Sequence, residues 1–311
     1  MAQVTVLRAG LMMTVQDAGR AGFLRFGVSG SGPMDPEALR MANALVGNDP
    51  EAAALEFAYV GGVLRFADDR MVAVCAAATD LKIDGAPALP WRSHLLRAGQ
   101  ELSVGATPGS VWGYVAVSGG IATPPVLGAR STHLRTGIGG IEGRALQDGD
   151  DLPLGAGDIG PVRVLRNPWR VRGGAIRVVM GPQDDYFSPE ILRRFLNGPY
   201  AATNQRDRMA LILDGPDLPA VRGHDIVSDG TLAGSIQVPG SGRPMVLMAD
   251  RQTTGGYPKI ATVTGIDLPR LAQMPTGRRF RFQAVPQDRA EDLLIAARMA
   301  FRHALAEVGA P

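Results

Sequence analysis

A mainly β fold with few helices is what this sequence predicts. Three observations carry the prediction: 40 glycines and 23 prolines spread along 311 residues, short apolar runs between them, and few stretches with helical spacing. Scattered turn formers of this kind punctuate short strands instead of building linkers. A chain of this length is expected to form two β-barrel domains of about 150 residues each. The boundary is expected near Arg166-Asn167-Pro168, giving domains over 1–167 and 168–311, the second with a terminal helix.

Candidate strands are Val4 to Leu7, Val63 to Phe66, Met71 to Ala77, Val111 to Val117, Ile176 to Met180, Met209 to Leu213, Ile236 to Val238, Met245 to Met248 and Arg279 to Phe282. Asp84-Gly85 reads as a hairpin turn after Leu81 to Ile83, because both residue types tolerate positive φ. Two short helices carry clear start signals. In Asp35-Pro36-Glu37 the carboxylate caps free N–H groups, proline suits the first helical position and Glu37 favours the positive end of the dipole. Gly47 closes that helix, and Ala38, Met41, Ala42 and Leu45 recur at helical spacing. Ser188-Pro189-Glu190 repeats the grammar through Ile191, Leu192 and Phe195 to Gly198. The two openings lie about half the chain apart, which suggests two related halves. A last helix, Arg289 to Val308, presents Leu293, Leu294, Ala297, Met299, Ala300 and Leu305 and is expected to pack across the C-terminal half.

Composition excludes several classes. No apolar run approaches the roughly 20 residues that span a bilayer, so no membrane role is expected. The N-terminus has no basic segment leading into an apolar stretch, which points to the cytoplasm. Cys75 is the only cysteine and sits in the apolar run Met71 to Ala78, so it forms no intramolecular disulfide and is assigned to the core. The net charge of +2 comes from scattered arginines with aromatics at 5%, which offers no stacking platform for nucleic acid.

Several motifs fall short of a known chemistry. Gly27-Val-Ser-Gly-Ser-Gly32 resembles a phosphate cradle but lacks a following Gly-Lys-Ser/Thr, and Gly137-Ile-Gly-Gly-Ile-Glu-Gly143 misses the third glycine of a dinucleotide fingerprint. Turn formation is the expected role of the second. His94, His133, His224 and His303 have no metal spacing, so no metal is expected, and no serine sits in a nucleophile elbow.

Two segments hold more polar chemistry than turns require. The first collects Asp17, Arg20, Asp35, Asn43 and Glu56 in a glycine-rich stretch. The second, Ala249 to Lys259, sets Asp250, Gln252, Thr253, Thr254, Tyr257 and Lys259 around Gly255-Gly256. Backbone N–H groups there suit an oxyanion, and Lys259, one of only two lysines, suits the stabilisation of negative charge. The corresponding expectation is Asp17 or Glu56 as base, Lys259, Thr254 and the two glycines as anion stabilisers, and Arg20 orienting a carboxylate. Asp35, Asn43, Gln252, Thr253 and Tyr257 complete the expected binding surface. A cap at Asp35 and a structural ion pair at Asp17 or Arg20 are the competing structural readings.

The same segments resemble the allophanate hydrolase subunit 2 family, also described as the C subunit of bacterial 5-oxoprolinase or the biotin-dependent carboxyltransferase family. The resemblance rests on Thr14-Val-Gln-Asp-x-Gly-Arg20, Ser31-Gly-x-Met-Asp35, Ala42-Asn-x-Leu-Val-Gly-Asn48, Leu55-Glu56, Pro125-Val-Leu-Gly128 with Ser131-Thr132, Gly143-Arg-x-Leu146, Ile236-Gln-Val-Pro-Gly240 and Gln252-Thr-Thr-Gly-Gly-Tyr-Pro-Lys259. It implies two cyclophilin-like β-barrels, a sister subunit of the B type (allophanate hydrolase subunit 1) and a third partner of the A type. It further implies ATP-driven opening of the 5-oxoproline lactam to glutamate, with ATP bound by the complex. The alternatives it carries are carboxyl transfer from carboxybiotin to urea or another small amide, and a regulator that binds a kinase-inhibitor-like partner. No Ala-Met-Lys-Met surrounds Lys82 or Lys259, so any biotin is expected on another protein. The sequence departs from the family at Gln205 to Gly215, where a Tyr and an Arg are missing, and at Ser228-Asp229-Gly230, where Asp stands for Glu.

Overall fold

The computed structural model describes residues 2–165 and 173–309, so the expected boundary at Arg166-Asn167-Pro168 lies outside the described residues. Strands hold 34% of residues and helices 17%, which makes the fold mainly β. The chain divides into two compact units. The first takes the residues up to Ala21, those from Ser31 through the first half, and the end from Phe301 on; the second takes Gly22–Gly30 and the second half up to Ala300.

The first unit is built from two antiparallel sheets. One orders Asp151–Pro153, Gln3–Ala9, Val60–Phe66, Glu101–Ala106, Leu81–Ile83 and Ala86–Ala88; the other orders Thr14–Gln16, Ala54–Ala58, Trp112–Val117, Arg70–Cys75 and Ser93–Leu96. Alternate residues meet in one core: Val4 and Val6, Leu64 and Phe66, Leu102 and Val104 from the first sheet, and Leu55, Phe57, Val72, Val74, Val115 and Val117 from the second. Each such side chain contributes about 1.5–3 kcal/mol through removal from water. The opposite face of Trp112–Val117 is also buried, because helix α1 (Pro36–Val46) covers it. Ala38, Leu39, Met41, Ala42, Leu45 and Val46 are the apolar side chains that α1 buries, and Cys75 is buried as expected. Asp35 caps α1 by accepting from Ala38 N at 3.2 Å, and Gly47 ends it at φ +80°. The Leu81–Ile83 and Ala86–Ala88 strands pair through Asp84 and Gly85, both at positive φ, as the hairpin reading requires.

The second unit is a nearly closed barrel of eight strands: Arg279–Phe280, Tyr200–Arg206, Ala210–Asp214, Met245–Leu247, Ser235–Gln237, Lys259–Val263, Ile176–Met180 and Phe282–Ala284. Its two edge strands are neighbours in the chain, separated by Arg281 alone, so one segment runs from one edge of the sheet to the other. The single run expected over Arg279 to Phe282 is therefore two strands with different partners. Ser188 caps helix α2 (Pro189–Asn197), whose Phe195 stacks on Phe282 at 4.8 Å between centroids. Gly198 does not end α2 in the left-handed conformation. It lies at φ −70°, and the need for glycine is steric: a Cβ would sit 2.6 Å from Pro216 Cγ.

Helix α3 (Leu268–Ala272) follows, and α4 (Gln287–Ala306) closes the chain. Of the apolar residues expected to pack, Leu293, Leu294 and Ala297 are half-buried, with Leu294 beside Gly265 of the second unit, whereas Met299 and Ala300 are exposed. The fully buried residues of α4 are Phe301 and Ala304 in its last turns. No described helix is long and apolar enough to cross a membrane.

Candidate functional site

In the second unit the polar segment 249–259 folds against residues 229–237. Asp229–Gly230 and Thr254–Gly255 pair as a short antiparallel ribbon, and Thr231 N donates to Thr253 O at 3.0 Å. The Thr231 hydroxyl donates to Gln252 O. Lys259 begins the strand Lys259–Val263 and pairs in register with Gln237 on the neighbouring strand. Residues directly opposite in a sheet project to the same face, so the ammonium and the amide are neighbours.

Lys259 is 2% exposed, yet its Nζ lies 2.7 Å from Oδ2 of Asp229, whose side chain is 52% exposed. The hydrogen bond from Lys259 holds the Asp229 carboxyl below its usual range, helped by Gly230 N at 2.7 Å from Oδ1. Gln183 braces the pair: its Oε1 accepts from Lys259 N at 3.1 Å and its Nε2 donates to Asp229 Oδ2 at 3.3 Å. A buried ammonium is thus paired with a carboxylate that opens to solvent.

Gln237 is wholly buried. Its Oε1 accepts from Gln252 Nε2 at 3.1 Å, and this leaves Gln237 Nε2 and Gln252 Oε1 buried without a hydrogen-bond partner. Turning both amides over exchanges the roles and again leaves one donor and one acceptor. Each unmade bond costs about 1–3 kcal/mol, so an orphaned pair of this kind calls for a partner that supplies the complement. Gly255 rests on the pair, since a Cβ there would lie 2.4 Å from Gln237 Nε2. Among the other expected residues of this segment, Thr254 and Tyr257 are exposed and Gln252, Thr253, Gly255 and Gly256 half-buried.

The polar residues of the first unit fall into three separate groups. Asp17 accepts four hydrogen bonds, from Gly19 N at 3.0 Å, Arg130 N at 2.5 Å, Ser131 N at 3.2 Å and Ser131 Oγ at 2.5 Å. Arg20 donates to the carbonyls of Val126 and Ser131 in the same loop. Glu56 is buried, and its Oε2 accepts from Met34 N and Tyr114 Oη, both at 2.7 Å, while Tyr114 Oη accepts from Asp35 N. Burial, followed by the Glu56 and Asp35 charges, pushes the Tyr114 phenol far above its usual range. Asn43 ties Pro50 O and Ala52 O to the end of α1 and accepts from Asn48 Nδ2. Gln16 Oε1, Thr132 Oγ1 and His133 Nε2 are buried in this unit without hydrogen-bond partners, but none belongs to a charged pair. The 137–143 loop has Gly137, Gly139, Gly140 and Gly143 at positive φ, in line with its turn role.

Phosphate-cradle geometry is absent from Gly27–Gly32. Gly27 ends the short helical turn Leu24–Phe26, and α1 begins only at Pro36. Of the two lysines, Lys259 is buried, and Lys82 lies half-exposed on a hairpin, where it pairs with Asp80.

Residues 26–284 match the family described as the carboxyltransferase domain, subdomain A and B. The chain belongs to this carboxyltransferase domain family. It is 40% identical to the C subunit of 5-oxoprolinase from Escherichia coli, over 89% of this chain and 89% of that protein. It is also 30% identical to a putative urea carboxylase of Emericella nidulans, over 91% of this chain but 24% of the other. The crystal structure of the K. lactis urea amidolyase superposes with a TM-score of 0.90 at 27% identity, covering 97% of this chain and 20% of that one.

Asp229 and Gln237, which the fold brings to Lys259 and Gln252, were not among the site residues expected from the sequence. A lone amide inside the apolar strand Ser235-Ile-Gln-Val238 was the available signal for Gln237.

Proposed function

We propose that this chain is the lactam-binding subunit of an ATP-dependent 5-oxoprolinase, a hydrolase acting on a cyclic amide and active only in a complex. The observation that carries the reading is the match to the C subunit of a 5-oxoprolinase along 89% of both chains, against a minor part of the urea enzymes. The site supports it. A lactam offers one N–H and one C=O, the complement of the free acceptor on Gln252 and the free donor on Gln237.

An unactivated amide resists attack, so the carbonyl oxygen must be stabilised as charge develops on it. In this proposal Lys259, with the Gly255 and Gly256 backbone and Thr254, serves that oxygen. Asp17, Arg20, Asp35, Asn43 and Glu56 hold the frame of the first unit, where their hydrogen bonds already engage them. ATP enters with the partners, a B-type sister and an A-type protein, since Gly27–Gly32 forms no phosphate cradle. Val227 and Leu232, 92% and 62% exposed on either side of Asp229–Gly230, are the contact we assign to the sister subunit. The complex is assigned to the cytoplasm.

The test is 5-oxoproline-dependent ATP hydrolysis and glutamate formation with the chain alone, with its sister, and with both partners. Glutamate only in the full mixture supports the proposal. Carboxylation of urea or another amide by an added carboxybiotin carrier, without lactam opening, transfers the assignment to the carboxyltransferase reading. Complex formation without turnover that survives loss of Lys259 favours a regulator of a kinase-inhibitor-like partner.

A further inference from the structure

Among the described residues, Lys259 and Asp250 of the segment 249–259 are ion-paired, and Arg251 of the same segment is not. Lys259 is matched by Asp229. Arg208, buried, is matched by Asp250 through two hydrogen bonds of 2.9 Å. Arg251 is 9% exposed, and among the described residues its side chain makes one hydrogen bond, a long one from Nε to Thr231 O at 3.3 Å. Among the described residues no carboxylate pairs with it, and burial alone draws its guanidinium below the usual range. Its Nη atoms are not among the fully buried polar atoms, so an anion can reach this guanidinium from solvent.

Thr231 ties this charge to the amide pair. Its carbonyl accepts from Arg251, its hydroxyl donates to Gln252 O, and its Cγ2 lies 3.3 Å from the position of a Cβ on Gly255, which itself rests on Gln237 Nε2. Thr231 is therefore in contact with the Arg251 side chain and with the main chain that carries Gln252. Guanidinium groups in this setting take carboxylates in a bidentate manner.

We propose that Arg251 binds a carboxylate carried by the substrate, so that the site accepts a small amide bearing a negative charge and discriminates against neutral amides. This rests on the lactam-binding reading and deepens it: 5-oxoproline has such a carboxylate next to its lactam nitrogen, and urea has none.

The experiment uses the complex assembled with its partner proteins. It compares kcat and KM for 5-oxoproline and for 2-pyrrolidinone, the same ring without the carboxylate, in the wild type, Arg251→Met and Arg251→Lys. Binding of both compounds to each complex is measured by calorimetry alongside. Arg251→Met is expected to raise KM and Kd for 5-oxoproline about ten- to a hundredfold while leaving 2-pyrrolidinone unchanged, and Arg251→Lys to recover part of the loss. Equal losses on both compounds, or no change on 5-oxoproline, overturn the inference while leaving the oxoprolinase reading in place. Charge-selective binding that depends on Arg251, without lactam opening, keeps the inference and counts against that reading. Turnover of urea alone, insensitive to Arg251→Met, overturns both. Should Arg251→Met fail to assemble, Arg251→Lys decides, since it keeps the charge but loses the bidentate fork.

Discussion

Two polar clusters in this chain use the same residue types and finish differently. In the first unit, Asp17 accepts four hydrogen bonds, one from Gly19 of its own loop and three from the distant Arg130–Ser131 loop, and Glu56 is closed in by Tyr114 and Met34. In the second, Arg251 has no acid partner among the described residues, and Gln237 and Gln252 each leave an amide atom unmatched. The comparison teaches that density of polar residues is a weak guide to a binding site. Under the proposed function the unmatched amide atoms of Gln237 and Gln252, next to a cation with no acid partner among the described residues, are the stronger sign, since buried unmatched atoms alone also occur in the first unit at Gln16, Thr132 and His133.

The largest expected effect lies in the second cluster. Lys259→Met should lower kcat of the assembled complex by about a hundred- to a thousandfold, the range for losing one preorganised oxyanion donor. The melting temperature should hardly move, because an apolar side chain of similar length fills the space of a buried ammonium. A variant with full turnover would remove Lys259 from the proposed chemistry and weaken the contrast between the clusters.

Next in size is the converse substitution in the first cluster. Glu56→Ala leaves Tyr114 Oη and Met34 N in the core without this acceptor, which should destabilise the chain by about 2–4 kcal/mol. KM per folded molecule should stay put, and Glu56→Gln, which keeps an acceptor, should recover much of the stability. Loss of turnover in a normally melting Glu56→Gln complex would restore the reading of Glu56 as a base.

The difference between the clusters also marks how far the sequence could be read. The caps at Asp35 and Ser188 and the Asp84-Gly85 turn were legible because each is settled by residues within a few positions. Lys259, which the proposed function uses, stands out in the sequence by rarity. Gln237 does not, because its place opposite Lys259 and under Gly255 comes from contacts made only when separate stretches of the chain come together. Arg251 was hidden for a related reason: an arginine stands out only when its surroundings lack a carboxylate, and surroundings are tertiary. The same blindness explains α4, whose apolar spacing gave no hint that Ile295 and Met299 face outward.

A smaller effect is expected where the two parts of the second cluster touch. Gly255→Ala places a methyl group 2.4 Å from Gln237 Nε2 and 3.3 Å from Thr231 Cγ2. Gly255 is not in the left-handed region, so the substitution acts on packing and not through backbone strain. Gln237 must swing away, and kcat/KM should fall about tenfold, a cost of roughly 1.4 kcal/mol, with a shift of less than a few degrees in melting temperature. An unchanged kcat/KM would show that the position of the amide is irrelevant to turnover.

The smallest effect concerns acid. The folded-state pKa of Asp229 is depressed by the Lys259 hydrogen bond and by Gly230 N. A depressed carboxyl contributes stability above the unfolded value of about 3.9 and loses it as pH falls through the lower folded value. The advantage of the wild type over Asp229→Asn in thermal melts should thus be level from about pH 7 to about pH 5 and shrink below about pH 4. Because half of the Asp229 side chain is exposed, added salt should narrow the gap as well. A gap that persisted unchanged at about pH 3 would mean that the two residues do not share charge, and the ammonium of Lys259 would then need another counter-ion, which only the substrate or the sister protein remains to supply.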